Sequence, residues 1–282
     1  MPDTRTLRAG QLDFTVDLYG PDDGAPVLML HGFPQSRAAW RSQGAALAAA
    51  GLRAVAPDQR GYSAGARPDG VAAYAADLIV GDALALMDAL GHARFHLVGH
   101  DWGGQIAWLT AVRAPERVLS LAVLSRPHPA AFARAFAGDP QQAQRSGHHK
   151  ALQDDATVAA MRADDFAGLR AMFAGAGVPA ATAQAYIDTL APPGALEAAV
   201  AWYRAGAGSL RAADVPRVAA RTLYVWGDAD ATVGRMAAEA TAGFVTGPYR
   251  FEVIEGAGHF LTDEVPDAIN RLLLQHLAAP AA

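Results

Sequence analysis

The residues with the clearest chemical potential lie in a sharp turn, the sequence Gly-His-Asp-Trp-Gly at residues 99–103. Residues 95–98, apolar apart from one histidine, precede the turn, and residues 105–112 after it have a helical pattern. A strand, a sharp turn and a helix in this order predict a nucleophile elbow, which holds one side chain on a strained backbone at the top of a sheet. Where such turns usually carry a serine, this chain has Asp101. The sequence therefore predicts a carboxylate nucleophile.

Two stretches farther along the chain can supply an acid and a base. Asp228 and Asp230 directly follow a predicted strand, in the sequence Trp-Gly-Asp-Ala-Asp. His259 lies in the loop after the last predicted strand, in the sequence Gly-His-Phe. The order nucleophile, acid, histidine is the order in which α/β-hydrolases carry their catalytic residues. On this pattern alone either aspartate can be the acid.

A carboxylate nucleophile implies a reaction in two steps. Asp101 attacks a tetrahedral carbon, expels a halide or opens an epoxide, and becomes an ester of the substrate. Because the carboxylate is already ionised, His259 acts in the second step, where it deprotonates a water that attacks the ester. The acid orients His259 and stabilises its imidazolium form. We expect the backbone N–H groups of Phe33 and Trp102 to bind the oxyanion that forms on the carboxyl group.

A second stretch matches a serine-hydrolase motif but lies in the wrong context. Residues 61–65 read Gly-Tyr-Ser-Ala-Gly, which fits Gly-x-Ser-x-Gly around Ser63. The polar residues 58–60 precede it in place of an apolar strand, and residues 67–70 after it have a loop composition. Ser63 is therefore not predicted to be a nucleophile.

Composition narrows the classes of function. The 282 residues have a formal net charge of −5 at pH 7 and no run of Lys or Arg, which argues against a nucleic-acid partner. The chain has no Cys, so a disulfide framework and a thiolate metal site are excluded. Its first residues are polar, and no apolar run reaches membrane-spanning length. We expect a cytoplasmic enzyme that uses no metal and no cofactor and binds neither nucleic acid nor a membrane.

Strand and helix patterns alternate along most of the chain and position these residues. Alternation of this kind predicts a mostly parallel sheet of about eight strands, covered by helices on both faces. Helices are predicted at residues 37–50 and 71–90 and at the C-terminus, where apolar residues recur at steps of three and four. Strands are predicted at residues 11–19, 26–30, 53–56, 94–98, 118–124, 221–226 and 250–254.

The alternation stops after the fifth predicted strand. From about residue 127 to residue 215 the composition is helical, with breaks at 138–140, 175–177 and 192–194 and no strong strand pattern. An insertion of this length suits a lid rather than a loop. The sequence thus predicts a core of residues 1–126 and 215–282 and a helical lid of residues 127–214.

Four motifs together resemble the epoxide hydrolases and haloalkane dehalogenases of the α/β-hydrolase fold, and most of all the soluble bacterial epoxide hydrolases. They are His-Gly-Phe-Pro at 31–34, Asp-Gln-Arg-Gly-Tyr at 58–62, Gly-His-Asp-Trp-Gly-Gly at 99–104 and Gly-His at 258–259. The resemblance covers essentially the whole chain. It implies the α/β-hydrolase fold, with a mostly parallel eight-stranded sheet and a helical lid insertion. Its Gly-x-x-Asp pattern selects Asp230 as the acid.

The same resemblance implies further site residues. Epoxide hydrolases of this kind protonate the opening ring with two lid tyrosines, and Ala-Trp-Tyr-Arg at 201–204 is similar to one of those segments, which assigns Tyr203. The second tyrosine position falls on His148, and Tyr186 is a possible substitute without a motif around it. The resemblance also places the following residues around the substrate pocket: His31, Pro34, His100 and Trp102.

The resemblance favours one chemistry over another. Haloalkane dehalogenases usually have Asn where this chain has Phe33, and fluoroacetate dehalogenases usually have Arg where it has Trp102. We therefore predict an epoxide hydrolase that takes a small-molecule epoxide and water and forms a vicinal diol. A haloalkane dehalogenase with the same ester on Asp101 is the alternative, followed by a catalytically silent ligand-binding protein of the same fold.

Overall fold

An eight-stranded sheet forms the centre of the protein. The computed structural model describes residues 1–206 and 211–278. The strand order is β1-β2-β4-β3-β5-β6-β7-β8; β2 is antiparallel to β1 and β4, and the other pairs are parallel. The prediction of a mostly parallel, eight-stranded sheet is thus confirmed. The strands are β1 (Asp3–Ala9), β2 (Leu12–Tyr19), β3 (Pro26–Leu30), β4 (Arg53–Pro57), β5 (Phe95–His100), β6 (Val118–Leu124), β7 (Thr222–Gly227) and β8 (Tyr249–Ile254).

Helices cover both faces of this sheet. Because side chains alternate between the faces of a strand, Val27 and Met29 of β3 belong to one buried apolar cluster, and Leu28 and Leu30 to the other. The first cluster includes residues of α1 and α12, and the second includes residues of α2 and α3. A strand that is buried on both faces must be apolar throughout. The core helices are α1 (Arg41–Ala49), α2 (Ala76–Ala89), α3 (Trp102–Arg113), α10 (Arg235–Ala240), α11 (Leu261–Glu264) and α12 (Pro266–Ala278).

Six further helices lie between β6 and β7, and we call them the lid helices. In the described residues from 127 to 206 and from 211 to 214 there is no strand, and α7 is kinked at residues 163–166. The predicted lid boundaries stay a prediction; residues 207–210 of that lid and 279–282 of the predicted core lie outside the described residues. The lid helices are α4 (Pro129–Gly138), α5 (Pro140–Arg145), α6 (His148–Ala151), α7 (Asp155–Gly175), α8 (Ala180–Leu190) and α9 (Ala195–Ala205).

Two predicted helices are wrong at their first turns. In place of a helix over 71–90, Val71–Tyr74 form a 3-10 turn, Ala75 is extended, and α2 begins at Ala76. Arg60 donates a hydrogen bond to the carbonyl of Ala73, which a continuous helix would use internally. In the same way a 3-10 turn over Arg37–Trp40 precedes α1 in the helix predicted at 37–50.

The edge strand β1 was not predicted. Its residues are mostly polar and exposed, so no apolar alternation marks it in the sequence. Its backbone pairs with β2 in a regular antiparallel ladder from Asp3 to Ala9. Within the part of the chain described, no helix combines the length and the apolar character that crossing a membrane requires.

Three histidines outside the predicted site, the buried His128 and His276 and the half-buried His96, should make the fold sensitive to acid. Burial lowers the pKa of His96, His128 and His276 from 6.5 to about 4 each. When a histidine has a lower pKa in the folded than in the unfolded protein, its contribution to stability is fully present above the pKa of the unfolded state. That contribution is lost as the pH falls through the pKa of the folded state. We expect the urea concentration at the unfolding midpoint to decrease as the pH is lowered from about 6.5 to about 4. A His96→Asn variant should lose less stability over that range, and a constant wild-type midpoint would contradict the prediction.

Candidate active site

The turn between β5 and α3 has the strained geometry predicted for it. Asp101 has φ 51° and ψ −120°, a backbone conformation that a side chain other than glycine rarely adopts. A Cβ atom on Gly103 would lie 2.1 Å from the carbonyl oxygen of Leu30, and one on Gly32 would lie 2.4 Å from Asp101 Cβ. Glycines at these two positions therefore let the loop after β3 and the turn between β5 and α3 approach each other closely. The side chain of Asp101 is held at the carboxyl end of the sheet, and the residue is 8% exposed.

The loop after β3 brings a hydrogen-bond donor to this carboxylate. The backbone N–H of Phe33 donates to Asp101 Oδ1 at 3.0 Å. The N–H of Trp102 is in the first turn of α3, where backbone N–H groups have no acceptor within the helix. The structure thus brings Phe33 to Asp101, as predicted for the oxyanion site, and Trp102 follows Asp101 directly. The assignment of both N–H groups to an oxyanion stays a prediction.

The base and the acid meet at the same edge of the sheet. His259 Nε2 lies 3.6 Å from Asp101 Oδ2, and its Nδ1 lies 2.9 Å from Asp230 Oδ2. Asp230 is 1% exposed, and its Oδ1 accepts hydrogen bonds from the N–H and hydroxyl of Thr232 and from the N–H of Val233. All the acceptor sites that a buried carboxylate needs are therefore filled.

The charges of these three groups support each other. Burial acts to raise the pKa of Asp101, but the positive charge of His259, whose Nε2 lies 3.6 Å away, lowers it to a value below the ordinary one. Burial acts to lower the pKa of His259, but the charge of Asp230, the hydrogen bond to Asp230 and the charge of Asp101 raise it. In the free protein an imidazolium thus lies between two carboxylates.

Asp228 and Ser63, the alternatives considered for the acid and the nucleophile, instead form hydrogen bonds that hold loops of the fold. Asp228 is exposed and accepts a hydrogen bond from the N–H of Gly256 at 2.7 Å. Ser63 is buried, donates to the carbonyl of Asp58 and accepts from the N–H of Thr15. Neither is placed beside His259.

Tyr203 of α9 extends from the lid to the nucleophile turn. Its ring meets Trp102 edge to face at a centroid distance of 5.0 Å, and it meets Phe33 in the same way at 5.5 Å. Burial, followed by the charge of Asp101, raises the pKa of Tyr203 well above its ordinary value, whereas a hydrogen bond with Trp102 lowers it. The hydroxyl therefore stays protonated and available as a donor.

Two adjacent histidines lie next to Tyr203, and only the first was predicted. The ring of His148 lies 6.0 Å from that of Tyr203, whereas the ring of His149 lies 5.2 Å from Tyr203 and stacks on Trp102 at 6.3 Å. His148 Nδ1 lies 3.2 Å from the carbonyl of Arg145, which only a protonated nitrogen can approach favourably. Burial lowers the pKa of both histidines. The His-His pair in the sequence was the signal that could have pointed to His149.

The other predicted pocket residues are buried. Both ring nitrogens of His31 are engaged, one with the carbonyl of Gly32 and one with the N–H of Gln59. His100 Nε2 lies 2.8 Å from the carbonyl of His259. Pro34 is buried and follows Phe33 through a cis peptide bond. The two histidines thus support the loops of the site, and their contact with a substrate stays a prediction.

Tyr186, the possible second tyrosine, belongs to a different cluster. Its hydroxyl donates to Asp263 Oδ2 at 2.8 Å, and Gln35 Nε2 donates to the same carboxylate oxygen at 2.8 Å. We call Gln35, Tyr186 and Asp263 the lid junction, because it joins α8 to the loop after β3 and to α11. Tyr186 is therefore already engaged within the fold.

Sequence reasoning also missed a carboxylate that holds the base loop. Glu264 accepts hydrogen bonds from the N–H of Gly258 at 2.6 Å and from the N–H of Phe260 at 2.8 Å. These two N–H groups flank His259 in the chain, so Glu264 fixes the backbone on both sides of the base. Among the residues described, no group of three or more His, Asp or Glu side chains is arranged to hold a metal ion.

Comparisons with known proteins agree with this arrangement. The alpha/beta hydrolase fold family matches residues 25–266. "Epoxide hydrolase 4" of Mus musculus is 32% identical over 89% of this chain and 72% of its own length. "Epoxide hydrolase A" of Mycobacterium tuberculosis is 31% identical over 91% of each chain. A solved structure described as one of several novel epoxide hydrolases from metagenomes of hot environments has a TM-score of 0.87 and 28% identity, over 99% of this chain and 100% of its own. The protein belongs to the α/β-hydrolase fold family, in its epoxide hydrolase-like branch.

Proposed function

We propose that this protein hydrolyses small-molecule epoxides to vicinal diols through a covalent ester on Asp101, with water as the second substrate. The observation that carries the proposal is the placement of Asp101 beside a base, His259 at 3.6 Å, and beside Tyr203 of the lid, whose ring packs against the next residue, Trp102. The relatives named as epoxide hydrolases support the same substrate class.

The first step opens the ring. A carboxylate oxygen of Asp101 attacks a ring carbon, the C–O bond on that carbon breaks, and its electron pair stays on the ring oxygen. Tyr203 gives its hydroxyl proton to that oxygen as the charge develops. A halide leaves as a stable anion and needs no such proton, so the lid hydroxyl supports epoxide opening over haloalkane dehalogenation. The helical lid of residues 127–214, which carries Tyr203, is part of this proposal.

The second step releases the diol. Ester formation removes the charge of Asp101, and one of the two carboxylates that raise the pKa of His259 is then neutral. The pKa of His259 falls, its imidazolium releases a proton to water, and one proton from water restores the hydroxyl of Tyr203. The neutral imidazole can then deprotonate the attacking water. The hydroxide attacks the ester carbonyl, and the N–H groups of Phe33 and Trp102 bind the oxyanion. Collapse of this intermediate breaks the ester bond, the proton of the added hydroxyl group passes to the departing diol oxygen, and the carboxylate of Asp101 is restored.

An isotope experiment tests the proposal. Excess enzyme is mixed with styrene oxide in H₂¹⁸O, so that each molecule turns over at most once. The ester mechanism predicts unlabelled diol, because its new oxygen comes from Asp101, and ¹⁸O in the peptide that contains Asp101. Label in the diol of this first turnover would contradict the ester. Turnover of 1-bromobutane but of no epoxide would favour the dehalogenase, and binding without turnover of either would favour a silent ligand-binding protein.

A further inference from the structure

A buried arginine that the mechanism above does not use lies behind the nucleophile turn. Arg126 follows β6 and is 8% exposed. Its guanidinium carbon lies 4.5 Å from the ring centre of Phe132, on α4, and 5.7 Å from that of Trp102. The carbonyl of Arg126 accepts a hydrogen bond from the indole of Trp108 at 3.0 Å. The cation is thus fixed against the aromatic wall of the site.

The charge of Arg126 has no direct counter-ion. Its Nε and Nη2 donate to Gln105 Oε1, a neutral oxygen, at 3.2 and 3.1 Å. Over residues 1–206 and 211–278, no carboxylate forms an ion pair with it. A guanidinium does not lose its proton in a protein, and a buried charge without a partner is costly.

The carboxylate that acts most strongly on this cation is the nucleophile. Among the charges that raise the pKa of Arg126 against the effect of burial, that of Asp101 is the largest, followed by that of Tyr203 when its hydroxyl is ionised. Arg126 in turn helps to lower the pKa of Asp101. Two such charges interact through space, and burial strengthens the interaction because little water screens it.

We propose that Arg126 is a positioning residue that acts by its charge through the carboxyl group of Asp101, and that it speeds hydrolysis of the ester without speeding its formation. The proposal rests on the ester mechanism. The carboxyl group of Asp101 is negative in the free enzyme, neutral in the ester and negative again in the tetrahedral intermediate. A fixed cation therefore stabilises the first and third states and not the ester between them.

The two steps should respond differently to loss of the charge. In ring opening, negative charge moves from Asp101 to an oxygen beside Tyr203, and both positions interact with Arg126, so the net effect is small. In ester hydrolysis, negative charge appears on a neutral group next to the cation. Removal of the charge should slow ester hydrolysis on the order of tenfold. It should leave the rate of ring opening within about threefold of the wild-type rate, or increase that rate.

The test measures both steps in Arg126→Met, which keeps a side chain of similar length over Phe132. Single-turnover mixing with styrene oxide and intact-mass detection of the ester give the two rates. We expect kcat to fall, kcat/KM to stay level or rise, and the ester to accumulate at steady state. Arg126→Gln, which keeps a hydrogen-bonding group near Gln105, should give the same pattern, and Arg126→Lys should restore most of kcat because it keeps the charge.

A matched control is available on α4, the lid helix that carries Phe132. Arg134 is exposed and lies 5.4 Å from the ring centre of Phe244, and Arg134→Met should leave both rates unchanged. Equal losses in both steps for Arg126→Met and Arg126→Gln would overturn the inference and leave Arg126 a packing residue. Wild-type enzyme that turns over epoxides without forming any ester would instead overturn the proposed mechanism itself.

Discussion

A His259→Gln variant is expected to form the ester with an epoxide and then retain it. Ring opening needs the ionised Asp101, whose Oδ1 still accepts a hydrogen bond from Phe33, and the hydroxyl of Tyr203, but it does not need the base, so alkylation should proceed. Hydrolysis then lacks the base that deprotonates water, and turnover should fall by at least about a thousandfold. Intact-mass measurement should show one added substrate mass per protein, located on the peptide that contains Asp101.

The control for this variant is a histidine away from the site. His92 lies on the loop after α2, and His92→Gln should turn over epoxides at the wild-type rate without an accumulated ester. Normal turnover by His259→Gln with no adduct would show that His259 is not the base. Adduct found on another peptide would instead move the nucleophile away from Asp101.

A Tyr203→Phe variant is expected to lose roughly ten- to a thousandfold in both kcat and kcat/KM on epoxides, the scale of a positioned general acid. The substitution keeps the ring that packs against Trp102 and removes only the hydroxyl. An interaction made mainly in the transition state lowers both constants when it is lost. A haloalkane, if it is turned over at all, should be affected much less, since a halide needs no proton. The matched control is Tyr249→Phe, which removes a buried hydroxyl group on β8, outside the proposed site.

Substitution of the neighbouring histidines should identify the partner of Tyr203. His148→Ala should lower epoxide turnover in the same direction, and the double variant with Tyr203→Phe should be nearly inactive. The Nδ1 of His148 carries a proton beside the Arg145 carbonyl, so Nε2 carries none while the ring is neutral. Protonation makes Nε2 a donor, so hydrogen-bond donation from His148 to the epoxide should strengthen as the pH falls toward the lowered pKa of His148. His149→Ala is measured in parallel.

Unchanged turnover in Tyr203→Phe, or equal damage to both substrate classes, would make the lid tyrosine a packing residue.

The catalytic motifs and most of the sheet could be predicted because each produces a local pattern. Seven of the eight strands carry apolar runs or alternation, whereas β1 is polar and owes its extended shape to pairing with β2. The break before α2 depends on a hydrogen bond from Arg60, which is 13 residues distant, and no local rule contains it. A local sequence pattern indicates an interaction only when the two residues are close together in the chain.

The lid side of the site was harder to predict for the same reason. His148 and His149 are adjacent on α6, and only the packing of that short helix against Trp102 separates their surroundings. A lone arginine after a strand usually points to solvent, so no sequence pattern indicates that Arg126 is buried over Phe132. Glu264 was missed because its hydrogen bonds go to backbone groups on either side of His259.

The lid junction limits how this enzyme can be recombined with its relatives. Gln35, Tyr186 and Asp263 come from three separate stretches, and two of them lie outside the lid helices. A chimera that takes only its lid from another protein would keep Asp263 and replace Tyr186. Burial already raises the pKa of Asp263 to about 6, and loss of the Tyr186 hydroxyl would remove one of the two donors to Asp263 Oδ2 named above, at a cost of about 1–3 kcal/mol. Functional chimeras should therefore be those in which positions 35, 186 and 263 share one parent.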